Sequence, residues 1–278
     1  MNDRRASVLQ WLSFVNMESR HEDASMDRHP GTGKWLLQEE KFREWFDNNY
    51  CAEPLLWLNG KPGAGKSNPE LECLKSAERS GKTVVSSLVI EELRSHLPLI
   101  RTVFFYCRQS DGYRNGLVAV ARTFLSQLAI LDDGLLLWIY EKAAKSGETV
   151  LSSANLAKTL LSIALQTCSK TQKMFIVIDG LDEYSRNDRK DIAGWIRSVI
   201  EDSSKEDVGT IRCLFISQDD GAARKDFIDI PSISISSNSH QEDIQAYCNT
   251  WHDKIGNKFG SFGHRNLANI VTARAQGM

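Results

Sequence analysis

The stretch that decides the fold is residues 54–67, P54-L-L-W-L-N-G-K-P-G-A-G-K-S67. Its first half is a short apolar run bounded by Pro54 and Gly60, which is the pattern of a buried strand. Its second half has the spacing G-x-x-x-x-G-K-S, with an additional glycine at position 63. A strand that leads directly into a glycine-rich loop predicts a sheet whose functional loops lie at the ends of its strands.

Each part of this loop has a role in holding phosphate. Glycines allow turns that a Cβ would block, and they bring main-chain N–H groups close to phosphate oxygens. Lys66 would reach the β- and γ-phosphates of a nucleotide, and the Ser67 hydroxyl would bind Mg²⁺. The alternative is a glycine-rich surface turn, which the preceding strand disfavours. The predicted nucleotide-binding residues are therefore Gly60, Lys61, Pro62, Gly63, Ala64, Gly65, Lys66 and Ser67.

Two other lysine triplets lack the full spacing. G31-T-G-K34 has Arg28 where the first glycine of the pattern is required, and G81-K-T83 has Ser76 there. Because the spacing sets how the loop wraps the phosphates, we set both triplets aside as phosphate loops.

Further apolar runs alternate with helical patterns along the chain. Strand-like runs rich in β-branched and aromatic residues occupy 102–107, 174–179, 211–217 and, more weakly, 232–236. Consecutive apolar positions are typical of parallel strands buried on both faces. Helices are predicted over 35–48, 84–97, 115–131, 134–145, 153–168, 189–202 and 241–258. The alternation predicts an α/β fold, a three-layer sandwich with a mostly parallel five-stranded sheet flanked by helices.

Acidic residues follow one of these strands in the stretch M174-F-I-V-I-D179-G-L-D182-E183. Asp179 ends the strand and would hold Mg²⁺ opposite Ser67, directly or through water. Asp182 and Glu183 lie just beyond, where a carboxylate could orient or deprotonate an attacking water. A strand capped by a turn with solvated acids remains the structural alternative. The run 102–107 lies between the two motifs, which suggests the subclass with a strand inserted between the loop strand and the acidic strand.

Composition narrows the class of protein. Hydrophobic residues make up 41% and charged residues 25% of the 278 residues, as in soluble globular proteins. The net charge of −2 gives no basic excess, so we expect no nucleic-acid partner. The run 135–140 is far too short to span a membrane. Six scattered cysteines without a C-x-x-C pair indicate a reduced, cytoplasmic protein, in which Cys107, Cys168 and Cys213 are small buried groups.

Four ordered motifs together carry a family resemblance: residues 60–67, F104-F-Y-C-R-Q-S-D111, D179-G-L-D-E183 and F215-I-S-Q-D-D-G-A-A-R-K-D226. They resemble the NACHT-type P-loop NTPases, signal-transducing STAND-class proteins abundant in filamentous fungi, and the similar nephrocystin-like N-terminal module. The resemblance implies a nucleotide-controlled switch of the NLR-like type found in innate immunity. Such a switch would bind ATP or ADP, or GTP in their place, together with Mg²⁺. It also implies an effector domain before the module, a sensor after it, and a homo-oligomer on activation.

The same resemblance sets the expected organisation. Residues 1–30 would be a helical lead-in or linker, and residues 31–278 a NACHT-like P-loop NTPase domain with its C-terminal part truncated. Many relatives carry a T-S-R-like triplet, whose arginine senses the γ-phosphate, where this chain has S217-Q-D219. Arg224 is the nearest cation that could substitute, and a solvated arginine on a helix surface is the alternative interpretation.

The loop does not run smoothly into a helix, because Pro69 lacks an N–H group and disfavours helical geometry at Asn68. We expect residues 68–82 to be an insertion that forms its own short helix, with Asn68 as its cap and Gly81 as its end. Without them, the loop reads on into an amphipathic helix.

The sequence leaves two functions open: a switch that hydrolyses its nucleotide slowly, and a degenerate, non-hydrolysing scaffold that acts as a protein-interaction module. A metabolic kinase would need a lid signature that the sequence lacks.

Overall fold

The computed structural model describes residues 2–28, 30–47, 51–60, 72–96, 100–108, 116–203 and 210–235, with the backbone alone at 47, 72–81 and 96. Its strands are β1 (Leu55–Gly60), β2 (Arg101–Tyr106), β3 (Met174–Asp179), β4 (Ile211–Gln218) and β5 (Ser232–Ile235). Its helices are α1 (Asn2–Leu12), α2 (Met17–Met26), α3 (Lys34–Gln38), α4 (Glu40–Asp47), α5 (Glu72–His96), α6 (Leu117–Leu131), α7 (Asp133–Ser146), α8 (Ala154–Ser169), α9 (Arg186–Ser203) and α10 (Ala223–Asp226).

The five strands form one sheet in the order β2-β3-β4-β1-β5, and every neighbouring pair is parallel. The inner strands are buried along almost their whole length, which explains their consecutive apolar residues. A strand does separate the loop strand β1 from the acidic strand β3, as expected. That strand is β4, which comes last of the three in sequence.

Helices cover both faces of the sheet. The chain crosses the sheet in one direction from β1 to β2 and returns in the other from β2 to β5. Right-handed connections therefore place α5 on one face and α6, α8 and α9 on the other. The packing agrees, since α5 contacts β2, β3 and β4 while α6, α8 and α9 contact β2, β3 and β4 respectively. The predicted three-layer α/β sandwich is confirmed.

The N-terminal segment crosses the edge strand β2. α1 packs against α6 and α7, whereas α2 packs against α5 and β2. Trp11 Nε1 donates a 3.0 Å hydrogen bond to the Glu148 carbonyl oxygen, and Val8 and Met17 are buried in the common core. The lead-in expected over residues 1–30 is thus helical and packed on the sheet, while the domain boundary at residue 30 stays a prediction.

Two helix boundaries differ from the sequence prediction. The helix expected over 35–48 is divided at Glu39, whose ψ of 128° is extended. α5 begins at Glu72 and continues through Gly81, so the predicted helix end at Gly81 is wrong. A single interior glycine costs only about 1 kcal/mol relative to alanine, which the flanking helix-forming residues offset. Residues 68–71, the helix predicted over 241–258 and the chain beyond residue 235 lie outside the described residues.

The turn before α3 packs tightly on α5 at Gly33. Gly33 has a φ of +83°, and a Cβ there would lie 2.9 Å from Leu88 Cδ2. Both the backbone angle and the close approach therefore favour glycine. This contact fixes the segment before β1 against the helix that follows it.

A buried arginine joins α4 to the sheet. Arg212 on β4 is fully buried, and its guanidinium donates to the carbonyl oxygens of Trp45 and Phe46 at the end of α4. The guanidinium also lies over the Phe175 ring, 5.4 Å from its centroid. Cations stabilise helix C-termini, so Arg212 holds α4 through charge as well as through packing.

Burial confirms one prediction about the cysteines: Cys107, Cys168 and Cys213 are buried free thiols. Within the described ranges, no helix combines the length and the hydropathy needed to span a bilayer.

Candidate functional site

The strand β1 delivers Gly60 to the carboxyl-terminal edge of the sheet, where the predicted loop begins. The Gly60 carbonyl oxygen accepts a 2.8 Å hydrogen bond from the Asp219 amide at the end of β4. The other predicted loop residues, Lys61, Pro62, Gly63, Ala64, Gly65, Lys66 and Ser67, lie outside the described residues. The structure therefore places the start of the loop.

Asp179 ends β3 at the same edge, and only 3% of it is exposed. The next residue, Gly180, has a φ of +78°, and a Cβ there would lie 2.9 Å from the Cys107 carbonyl oxygen. Glycine at position 180 thus allows the chain to turn immediately after the buried carboxylate. The D-G step of the acidic motif has a structural reason in this close approach.

Two residues of α5 face the Asp179 carboxyl group. The Thr83 side chain hydrogen-bonds to it, and the Lys82 ammonium lies close enough to stabilise its charge. The pKa of Asp179 is nevertheless raised to about 7. Burial is the main cause, and the neighbouring carboxylates of Asp182 and Glu183 act in the same direction. The charged form of Asp179 is therefore costly unless another cation is present.

These residues fit a Mg²⁺ ion. A divalent cation would shift Asp179 to its carboxylate form, and carboxylate and hydroxyl oxygens are the ligands that Mg²⁺ prefers. Among the described residues, no group of three or more His, Cys, Asp or Glu side chains could enclose a metal by itself. Mg²⁺ usually keeps waters and binds substrate phosphates in addition to one or two protein ligands, so a sparse protein ligand set is what such a site needs.

The predicted catalytic acids lie in a short 3-10 turn, Leu181–Glu183, directly after Gly180. Asp182 Oδ1 accepts a 2.8 Å hydrogen bond from the Gln218 amide, so this side chain also fastens the end of β4. Glu183 is exposed. The structure brings both carboxylates close to Asp179, and their action on an attacking water stays a prediction.

Lys82 and Thr83, which act on Asp179, belong to a triplet that the sequence analysis set aside. The aliphatic chain of Lys82 also passes over the start of the loop, because a Cβ at Gly60 would lie 3.7 Å from Lys82 Cδ. The spacing rule missed these residues because it assumes an uninterrupted loop. A usable signal was the recurrence of the triplet, G-K-S at 65–67 and G-K-T at 81–83.

Asp219 stands at the position where an arginine sensor was expected in the family. Its carboxylate pairs with Arg224, with a 2.6 Å contact between Asp219 Oδ2 and Arg224 Nη2. The Arg224 side chain is 73% exposed, as a surface arginine would be. Arg224 is therefore held beside the end of β4 by its ion pair with Asp219.

A parallel sheet with a glycine-rich segment after β1 and a buried aspartate at the end of the non-adjacent strand β3 defines a NACHT-type P-loop NTPase module. The sequence matches the family described as "Nephrocystin 3, N-terminal" over residues 31–69 and 68–218. These matches extend over more than half of the chain, which therefore belongs to this family.

One curated relative is the "Vegetative incompatibility protein HET-E-1" of Podospora anserina, 25% identical over 151 residues. The match includes 54% of this chain and 10% of that protein, so the chain spans about a tenth of the relative's length.

Two solved structures are similar at low identity. Cdc6p from Pyrobaculum aerophilum has a TM-score of 0.47 and 15% identity, covering 88% of this chain and 55% of that one. The ADP form of the Aeropyrum pernix ORC2 protein has a TM-score of 0.35 and 13% identity, covering 81% and 53%. The chain spans about half the length of each, and the fold assignment rests on the strand order of this chain.

Proposed function

We propose that this chain is the nucleotide-binding switch of an NLR-like signalling protein, and that it binds ATP with Mg²⁺ and hydrolyses it slowly. The observation that carries the proposal is that Gly60, where the glycine-rich loop begins, and the buried carboxyl group of Asp179 lie at one edge of the sheet. Lys82 lies between these two residues: a Cβ at Gly60 would lie 3.7 Å from Lys82 Cδ, and the Lys82 charge acts on Asp179 across the intervening strand β4. The start of the loop, a lysine and a buried carboxylate thus meet at one edge of the sheet, as phosphate and magnesium binding require.

In this proposal, each side chain has a stated task. The glycine-rich loop supplies main-chain N–H groups to the phosphates, and the motif spacing gives the lysine and hydroxyl roles to Lys66 and Ser67. Asp179 holds Mg²⁺, which neutralises phosphate charge when it is bound. Asp182 and Glu183 orient or deprotonate the attacking water.

Slow turnover follows from the charge at the end of β4. Asp219 places a negative group there, and the nearest described cation along the chain, Arg224, is already paired with it. An arginine that stabilises the charge of the transferring phosphoryl group is worth several powers of ten in rate. A site without such a residue would spend most of its time with its nucleotide intact, which suits a switch better than a metabolic enzyme.

The switch is proposed to work within a larger assembly. The chain spans about a tenth of its HET-E-1 relative. We propose an effector domain, a sensor domain and nucleotide-controlled homo-oligomerisation in the cytoplasm. ADP would hold the resting state and ATP, or GTP in its place, the active one.

Calorimetry of the purified chain with Mg·ATP, Mg·GTP and ADP tests this proposal. Binding that weakens when Mg²⁺ is chelated is the expected result, and Asp179→Asn should show the weakened affinity at any Mg²⁺ concentration. Absence of binding by the parent chain to all three nucleotides would overturn the proposal.

One observation favours the alternative, a scaffold that does not hydrolyse nucleotide. Because α5 is continuous from Glu72, the N–H groups around Lys82 are engaged within the helix. Phosphate-binding loops normally use the free N–H groups of a helix start. Phosphate release measurements separate the two functions: binding without any release above a buffer control would support the scaffold.

A further inference from the structure

We propose that Lys82 and Thr83, rather than Lys66 and Ser67, supply the lysine and the hydroxyl of this nucleotide site. The inference rests on the proposed function and changes which residues of the chain carry it. The pair lies inside α5, near Gly60 at the end of β1 and Asp179 at the end of β3.

The first support is the contact between Thr83 and Asp179. Thr83 hydrogen-bonds to the buried carboxyl group that would hold Mg²⁺. A hydroxyl that shares a cation with this carboxylate must lie beside it, and Thr83 already does.

The second support is the path of the Lys82 side chain. A Cβ at Gly60 would lie 3.7 Å from Lys82 Cδ and 3.9 Å from Lys82 Cγ, and the Lys82 ammonium acts on Asp179. A lysine that reaches phosphates held by the loop must pass between the start of that loop and the metal carboxylate. Lys82 follows this path.

The third support is that packing fixes both residues in place. From Val85 onward, α5 is buried against the sheet through Val85, Val89, Ile90 and Leu93. In the other direction, Glu72 lies about 15 Å from Lys82 along the axis, at 1.5 Å per residue. The helix therefore holds Lys82 and Thr83 at the site and carries the preceding chain away from it.

The sequence is consistent with this exchange of roles. The triplets G65-K-S67 and G81-K-T83 are sixteen positions apart. If residues 66–81 are omitted, the chain reads G60-K-P-G-A-G-K82-T83, which is a complete eight-residue pattern that continues directly into the buried part of α5. The second family match, over residues 68–218, includes Lys82 and Thr83.

The test compares point variants of the intact chain by the dissociation constant for a fluorescent ADP analogue, with and without Mg²⁺. The variants are Lys82→Met, Thr83→Val, Lys66→Met and Ser67→Ala. Lys158→Met and Thr159→Val form a matched control, since they are also an adjacent lysine and threonine on a helix, α8. Thr83→Ser keeps the hydroxyl and separates its loss from a folding defect, which thermal unfolding without nucleotide also reports.

Lys82→Met and Thr83→Val are expected to weaken binding about tenfold or more, a loss of about 1.4 kcal/mol. Thr83→Val should also lose most of the Mg²⁺ dependence, and Thr83→Ser should bind like the parent. Weakening by the Lys66 and Ser67 variants alone would overturn the inference and leave the proposed function standing, as would unchanged affinity in all four. A parent chain that binds no nucleotide would overturn both.

Discussion

The main-chain N–H of Gln218 donates a 2.8 Å hydrogen bond to Oδ1 of Asp182, and this bond ties the end of β4 to the turn that follows β3. A proposed catalytic carboxylate thus also has a structural task.

Asp182→Ala should lower the free energy of unfolding by about 1–2 kcal/mol, because the main-chain N–H of Gln218 loses its acceptor. Asp182→Asn keeps an acceptor oxygen and should stay within about 0.5 kcal/mol of the parent while phosphate release falls. Urea unfolding and phosphate release measure the two effects, and unchanged release in Asp182→Asn would exclude a catalytic role.

Asp179→Asn should separate metal binding from folding. The amide removes a buried charge that the protein environment disfavours, so the unfolding free energy without nucleotide should not decrease. Mg²⁺-dependent nucleotide affinity should fall by at least about tenfold, since the metal carboxylate is lost. Chemical denaturation and calorimetry check the two halves. A marked loss of stability with normal nucleotide binding would show that Asp179 is a structural residue.

Removing residues 66–81 should tighten nucleotide binding by about tenfold or more, because α5 would then begin at Lys82 and free its first N–H groups for phosphate. Removing residues 68–82 instead leaves Lys66 and Ser67 in front of Thr83 and should also tighten binding. At a nucleotide concentration 100 times the dissociation constant, each variant should gain about 2.7 kcal/mol of stability. Equal dissociation constants for the parent and both deletions would contradict the expectation. If residues 68–82 are a translated intron, the dominant messenger RNA should lack them, and transcript reads through the whole segment would defeat that hypothesis.

Protonation of His21 should cost the folded state stability on the acid side of neutrality. His21 is 7% exposed, and its Nδ1 lies 3.0 Å from the Tyr106 hydroxyl oxygen. Burial and the nearby Arg94 lower the pKa of His21, and the carboxylates of Glu18 and Glu91 oppose this shift only in part.

Because the pKa of His21 is lower in the folded state, the unfolded chain takes up the proton first as the pH falls below about 6.5. Asp179, whose pKa burial raises to about 7, acts in the opposite direction over the same range, so the His21 effect is the difference between the parent and His21→Gln. Relative to His21→Gln, the parent should lose stability between pH 7.5 and 5.5. Denaturant titrations at both pH values test this, and parallel changes in parent and variant would refute it.

Arg212→Met should lower the free energy of unfolding by about 3 kcal/mol, because α4 loses two charge-assisted hydrogen bonds at its last turn. The matched control is Arg197→Met, whose guanidinium donates to the Ile228 carbonyl oxygen at an exposed position. That change should stay within about 0.5 kcal/mol. Thermal and urea unfolding of both variants provide the comparison. Similar losses in the two would mean that burial adds nothing to the contacts of Arg212.

The pattern of apolar residues predicted the strands well where a strand is buried on both faces of the sheet. The strand Met174–Asp179 has the expected bounds, since a strand buried on both faces leaves an uninterrupted apolar run. The order of the strands was less accessible, because nothing local marks Ile211–Gln218 as the neighbour of both β1 and β3. The site divides in the same way. The position of Asp179 followed from its strand, whereas the approach of Lys82 and Thr83 to Asp179 was missed because a long helix, and not loop spacing, places them there.

The path of α1 and α2 over β2 has a consequence for how this protein meets other copies of itself. The edge of a sheet is a template for strand addition, and covering it with helices is one way that proteins prevent this. Here α2 lies along β2, and the Arg20 guanidinium occupies the Tyr106 carbonyl oxygen that an added strand would use. Strand addition at β2 is thus blocked, and removal of the first 28 residues should expose this edge and favour aggregation.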